Sequence, residues 1–166
     1  MSECTLRAAP ETEKKTPRRE KKTILFVCTG NTCRSPMAEA LFNALFAEGD
    51  TRAASAGLYA DGSPISENAA EALIRRGIPS TGENDYLAHI SVPVTEEAVA
   101  EAELVIGMTS RHAMDLLCRF PAHASKICVM PEDIPDPFGG DLAVYEACLC
   151  EIEKALEAVN QQRIGE

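Results

Sequence analysis

Thr23-Ile24-Leu25-Phe26-Val27-Cys28, followed by Thr29-Gly30-Asn31-Thr32-Cys33-Arg34-Ser35-Pro36, decides the fold. The first six residues form a short run rich in β-formers and close to uniformly apolar. Such a run, ending in a glycine-containing turn, reads as a strand buried on both faces, as in a parallel sheet. Ser35 and Pro36 then suit the cap and first turn of a helix over about 36–48. Met37, Leu41 and Leu45 repeat every four residues along it, and Gly49 ends it.

Working outward, the same alternation repeats. Residues 52–57 read as a second, weaker strand. A helix follows over 66–76, with Ala69, Ala70, Leu73 and Ile74 inward and Gly77 at its end. The stretch 79–93 is irregular, and a short helix with a Thr-Glu-Glu start covers 95–101. A third strand spans 103–108, and a helix over 109–120 stops at Pro121. A fourth strand covers 126–130, and a Pro/Gly loop spans 131–140. The final helix, about 141–161, has the clearest periodicity, through Leu142, Tyr145, Leu149, Ile152, Leu156 and Val159. Strands alternating with helices predict a doubly wound α/β fold, a parallel sheet covered on both faces. Such sheets bind ligands beyond the carboxyl ends of their strands, where Cys28 lies.

The 166 residues suit one domain with a core that needs no disulfides. Residues 1–22 are polar, contain Pro10 and Pro17, and lack apolar periodicity. They read as a disordered basic leader before a domain spanning 23–166. That leader carries seven Lys/Arg against four Glu, whereas the remaining 144 residues carry nine bases against 22 acids. A body with a charge of −13 repels nucleic acid and anionic membrane, so neither is expected as a partner. No apolar stretch approaches the ~20 residues of a membrane helix, and no secretory signal opens the chain. A cytoplasmic location is expected.

Seven cysteines, an odd number without an export signal, argue against a disulfide framework. No Cys-x-x-Cys pair occurs, which leaves a structural zinc site weakly supported. Cys118, Cys128, Cys148 and Cys150 read as small buried residues or exposed free thiols.

The segment Cys28-x5-Arg34-Ser35 carries the chemistry. A short loop wound around one point aims successive backbone N–H groups inward, a nest for an oxyanion. The following helix adds the positive end of its dipole. Arg34 offers a planar fork for two phosphate oxygens. The donors that hold a phosphate also stabilise a thiolate at Cys28, to which the Ser35 hydroxyl can donate. Gly30 and Asn31 suit a left-handed backbone. The bland readings are a turn with incidental cysteines, or an anion-binding loop without chemistry. Cleavage of a phosphate ester or phosphoramidate would need a carboxylic acid to protonate the leaving group. Asp136, in Ile134-Pro135-Asp136-Pro137-Phe138-Gly139-Gly140, is the first candidate, and Asp133 competes with it on the residues alone.

The stretch Val27–Glu39 resembles the opening of low-molecular-weight protein tyrosine phosphatases. Ser55-Ala56-Gly57, the His89 segment, residues 102–108 and Asp136-Pro137 follow in that family's order, so the resemblance covers about 23–160. It implies a four-stranded parallel sheet flanked by helices, phosphorylated protein substrates, and no metal or other cofactor. It makes Cys28 the nucleophile, Arg34 the phosphate clamp and Asp136 the general acid. Asn31, Ser35, Ser55 and His89 match a network that shapes the loop. Thr29, Gly30, Asn31, Thr32, Cys33, Ser35 and Phe138 fall where substrate would bind. Read alone, His89 would be a hydrogen-bonded structural histidine.

Two departures concern the substrate. Many members carry a bulky aliphatic residue where Thr32 stands, and Tyr or Trp after the Asp-Pro. Thr32 with Asp136-Pro137-Phe138-Gly139-Gly140 and the segment 89–97 look like the bacterial protein-arginine phosphatase branch. A polar, planar phosphoguanidinium suits a hydroxyl better than a phenyl ring does, and fewer rim aromatics weaken tyrosyl stacking. Protein phosphoarginine is therefore the expected substrate, with phosphotyrosine the alternative. Cys33, five residues after Cys28, is expected to form a reversible disulfide with it under peroxide. A thioredoxin-coupled arsenate reductase would need two further relayed cysteines, and Cys118 and Cys128 fit that poorly. A non-enzymatic phosphoprotein binder is the remaining alternative. Nothing in the sequence bears on the oligomeric state.

Overall fold

The computed structural model describes residues 21–165. Four strands, β1 (Lys22–Cys28), β2 (Thr51–Gly57), β3 (Leu104–Gly107) and β4 (Ile127–Val129), form one sheet in the order β2-β1-β3-β4. All three pairings are parallel, with Leu25 opposite both Ala54 and Val105, and Val105 opposite Ile127. The helices are α1 (Arg34–Leu45), α2 (Glu67–Arg75), α3 (Glu96–Glu101), α4 (Ser110–Arg119) and α5 (Leu142–Ile164). This is the four-stranded, doubly wound α/β architecture expected.

The two-residue period of β1 divides the core. Ile24, Phe26 and Cys28 face a layer built from Met37, Leu41 and Phe42 of α1, Leu73 of α2, and Leu149, Ile152 and Leu156 of α5. Leu25 and Val27 face the other way, onto Val99 of α3 and Leu116 of α4. Ile24, Phe26 and Val27 have no exposed surface, and each full burial contributes roughly 1.5–3 kcal/mol. That double coverage explains why β1 reads as a continuous apolar run.

The expected elements are present with shifted ends. Of the segment read as a leader, residues 1–20 lie outside the described residues. Lys21 pairs with Glu83, and Lys22 opens β1. Helix α1 starts at Arg34 and ends at Leu45, with Phe46 and Ala47 N–H both donating to the Phe42 carbonyl. Ser35 does not cap α1: Cys33 occupies the cap position with no side-chain bond, and Ser35 lies inside the first turn. Leu45 and Ile74, expected inward, are 43% and 49% exposed. A four-residue step advances 400° around a helix of 3.6 residues per turn. By its second step the Met37-Leu41-Leu45 row has left the core, and Ala38 and Phe42 complete the buried stripe. In α2, Ala72 takes the buried place instead of Ile74.

Two glycines let backbones meet near the carboxyl ends of the strands. A Cβ on Gly57 would lie 2.8 Å from the Thr29 carbonyl oxygen, and one on Gly107 would lie 2.7 Å from the Ala113 nitrogen. The end of β2 thus rests on the 29–33 loop, and the end of β3 on the first turn of α4.

Candidate active site at the end of the first strand

The loop between β1 and α1 is held from outside by its own carbonyls. The Cys28 carbonyl accepts from Leu58 N–H at 2.9 Å, that of Thr29 from Tyr59 at 2.8 Å, and that of Thr32 from Ser66 at 2.9 Å. The Asn31 carbonyl, which can only accept, is 2.8 Å from His89 Nε2, so that nitrogen carries the proton. In a planar trans peptide the C=O of one residue opposes the N–H of the next. Carbonyls 28, 29, 31 and 32 turned outward therefore leave the N–H groups of residues 29, 30, 32 and 33 directed to the opposite side. There a cavity of about 220 Å³ is lined by residues 28–34 with Asp136 and Phe138.

Asn31 organises the interior of the loop. It is fully buried, and its φ of 56° makes it the one non-glycine residue with positive φ among those described. Its Nδ2 donates to Ser35 Oγ at 2.8 Å and Ser55 Oγ at 2.9 Å, and its Oδ1 accepts from Val92 N–H at 3.0 Å. Ser35 Oγ is also 2.9 Å from Cys28 Sγ. Because Asn31 donates to that oxygen, the serine hydrogen is available to the sulfur. By the same logic Ser55 accepts from Asn31 and donates to Glu39 Oε2 at 2.7 Å. Burial raises the Glu39 carboxyl above its ordinary range, partly offset by the Ser55 bond and by the charges of His89 and Arg52.

Arg34 is buried, with Nη1 donating to the Ile134 carbonyl at 3.0 Å. Its Nη2 lies 3.8 Å from Asp136 Oδ2. The loop after β4 thus fixes one arm of the guanidinium, leaving other donors for a ligand. Asp136 stands at the mouth, half-exposed, its Oδ1 accepting from Phe138 N–H at 3.1 Å. Its sequence competitor, Asp133, is engaged elsewhere: its Oδ1 accepts from the backbone N–H and the hydroxyl of Ser110, at the start of α4. Thr32 lines the cavity, and Phe138, 80% exposed, forms part of its rim.

Cys33 is buried, with Sγ 3.4 Å from Tyr145 Oη and 3.7 Å from Thr32 Oγ1. Burial and the Cys33 sulfur push the Tyr145 phenol up to about 12. Burial likewise pushes the Cys148 thiol up to about 12. Of the other thiols, Cys118, Cys128 and Cys150 are exposed.

Three neighbours of the loop have no local sequence signal for that place. Glu39 lies in the quoted motif without a role there, and the spacing of Tyr145 marks only a core residue of α5. For His112 one signal exists: Thr109-x-x-His112 has the spacing of a capping box, in which the cap and the third helical residue bond reciprocally.

A backbone anion nest over a cysteine, closed by a buried arginine and faced by an aspartate, on a doubly wound sheet, defines a cysteine-dependent phosphatase. The chain belongs to the low molecular weight phosphotyrosine protein phosphatase family, whose model matches residues 23–165. It is 38% identical over 149 residues to a protein-arginine-phosphatase of Bacillus subtilis, covering 84% of this chain and 95% of that one. It is 32% identical over 142 residues to a probable low molecular weight protein-tyrosine-phosphatase, EpsP, of Ralstonia nicotianae, covering 82% and 92%. Among solved structures, the YwlE arginine phosphatase of Geobacillus stearothermophilus superimposes with a TM-score of 0.78. The identity is 36%, with 87% of this chain and 94% of that one covered.

Proposed function

We propose that this phosphatase hydrolyses phosphoarginine in proteins, with Cys28 as nucleophile, Arg34 as phosphate clamp and Asp136 as general acid and base. The carrying observation is the outward bonding of four loop carbonyls, which turns the N–H groups of residues 29, 30, 32 and 33 toward the cavity over Cys28. Phosphoryl oxygens seat in that nest and on Arg34. The Cys28 thiolate attacks phosphorus from below. As the P–N bond of phosphoarginine breaks, Asp136 gives its proton to the departing guanidine nitrogen. Water, deprotonated by Asp136, then attacks the cysteinyl phosphate and releases inorganic phosphate and the thiolate. Asn31, Ser35, Ser55 and His89 hold the loop in shape.

The phosphoarginine assignment rests on Thr32 at the cavity wall, on a rim with Phe138 in place of Tyr or Trp, and on the likeness to arginine phosphatases. Phosphotyrosine is the second reading, favoured by the likeness to EpsP. Turnover of matched phosphoarginine and phosphotyrosine peptides, with Cys28→Ser as control, separates the two. A phosphotyrosine preference keeps the mechanism and removes the substrate assignment. No turnover of either, with phosphate still bound, leaves a binding protein, and arsenate turnover with thioredoxin leaves a reductase.

The substrates are proteins of the cytoplasm, and neither nucleic acid nor membrane is a partner of a body so acidic. Among the described residues, no helix is long and apolar enough to cross a membrane. Peroxide oxidises the Cys28 thiolate to a sulfenic acid, with hydroxide leaving. Attack by the Cys33 thiol then forms the Cys28–Cys33 disulfide and expels the sulfenic oxygen as water. Cys33→Ala should lose recovery by reductant after peroxide; recovery equal to wild type removes this protective role.

A further inference from the structure

His112 joins the start of α4 to the phosphate loop through both ring nitrogens. It is 5% exposed, at the third position of α4, with Thr109 as the cap. The Thr109 backbone N–H donates to His112 Nδ1 at 3.2 Å, and Thr109 Oγ1 lies 2.9 Å from the same nitrogen. A backbone amide can only donate, so Nδ1 is the acceptor and a neutral ring carries its proton on Nε2. Nε2 in turn lies 2.9 Å from Thr29 Oγ1. Burial first, and then the charge of Arg34, hold the imidazole down to about 4, in keeping with a neutral ring.

The tautomer dictates what Thr29 does. Its Oγ1 receives Nε2–H and must direct its own hydrogen elsewhere, and it has no other side-chain partner among the described residues. Thr29 is exposed and lines the cavity over Cys28. We infer that His112 is a positioning residue that commits the Thr29 hydroxyl to donate at the cavity mouth, adding a side-chain donor for a phosphoryl oxygen to those of the backbone nest. The role rests on the phosphatase reading of this cavity. It also explains a histidine where a helix cap needs only an acceptor: Glu or Gln fills that place in an ordinary capping box.

Two substitutions separate the cap from the donor. In His112→Asn, Oδ1 takes the place of Nδ1 and keeps the cap, but the side chain is too short to reach Thr29. In His112→Gln, the longer amide supplies both an acceptor and a donor. Inorganic phosphate binding is measured by calorimetry, alongside phosphopeptide turnover and melting temperature. Ring ¹⁵N shifts of the wild type at pH 7 report the tautomer. The expected result is the Nε2–H tautomer and a melting temperature of His112→Asn within about 3 °C of wild type. Phosphate affinity should fall about five- to tenfold, the weight of one hydrogen bond, and His112→Gln should recover it to within about twofold. Thr29→Val should show the same loss alone and none further in the His112→Asn background. If His112→Asn does not fold, Thr29→Val and the wild-type tautomer carry the test.

An Nδ1–H ring, phosphate affinity unchanged in His112→Asn or in Thr29→Val, or fully additive losses in the double variant would overturn the inference. Wild-type turnover of phosphopeptides alongside unchanged affinity in His112→Asn would remove His112 and leave the proposed function standing. Absent turnover with tight phosphate binding would do the reverse, since tautomer and affinity still read out the role of His112.

Discussion

Replacing Asn31 by alanine tests whether the loop is held by its interior network. The substitution removes three side-chain hydrogen bonds, two donated to Ser35 and Ser55 and one accepted from Val92 N–H. Each contributes about 1 kcal/mol net. The consequences differ by partner. Ser55 keeps Glu39 and Ser35 keeps Cys28, whereas Val92 N–H loses its side-chain acceptor, which costs about 1–3 kcal/mol if it stays buried. Alanine must also hold a φ of 56°, at about 1–2 kcal/mol. With Val92 counted once, the expected loss is roughly 4–7 kcal/mol, a sizeable share of the ~5–15 kcal/mol that stabilises a domain. Urea melts at pH 7 measure it. Asn31→Gly loses the same bonds without the backbone strain and should recover about 1 kcal/mol relative to alanine. Turnover should fall at least about tenfold in both, because Ser35 Oγ loses the Asn31 donor that braces it beside Cys28 and the loop loses its interior support. A loss below about 1 kcal/mol with wild-type kcat/KM in Asn31→Ala would refute this account of the loop.

Three further outcomes are expected. Burial and the charge of Arg34, against the opposing charges of Asp115, Asp136 and Asp133, make His112 bind its proton more weakly folded than unfolded. The unfolded chain therefore takes up the extra proton, and stability worth up to about 3 kcal/mol, present above pH 6.5, is lost as pH falls toward 4. Urea melts of wild type and His112→Asn between pH 7 and 5 should diverge, with the flatter profile in the variant. Parallel profiles would refute the assignment. Glu39 has the opposite sign: its raised carboxyl favours the protonated form when folded, so its contribution is present below about pH 4.5 and lost as pH rises. Glu39→Gln, which can still accept from Ser55, should melt above wild type at pH 7, with the gap closing toward pH 4. A lower melting temperature at pH 7 would show that the carboxylate is the favoured state. Thr32→Ile should raise phosphotyrosine turnover and lower phosphoarginine turnover in the peptide assay. An unchanged ratio would remove Thr32 from the argument.

The sequence by itself determined the α/β class, the order of its elements and the loop that carries Cys28 and Arg34. These depend on local signals: an apolar run long enough for one buried strand, helices with polar starts, and Cys28, Arg34 and Ser35 within eight residues. It could not separate Asp136 from Asp133, because both sit in one Pro/Gly loop. The tertiary structure does so by bringing α4 against that loop, where Ser110 takes the carboxylate of Asp133 and Asp136 is left near Arg34. The helix signal at Ser35 was misleading for the same reason. A serine before Pro36 fits a cap locally, yet the curl of the loop turns its hydroxyl to Cys28 and Asn31. Leu45 and Ile74 came out exposed because a repeat of four gives the spacing of a stripe but not where it leaves the core. Glu39 and His112 were hidden more deeply. Their partners, Ser55 and Thr29, lie 16 and 83 residues away in the chain. Such contacts are set by the packing of helices on a sheet, and no local pattern in the sequence encodes them.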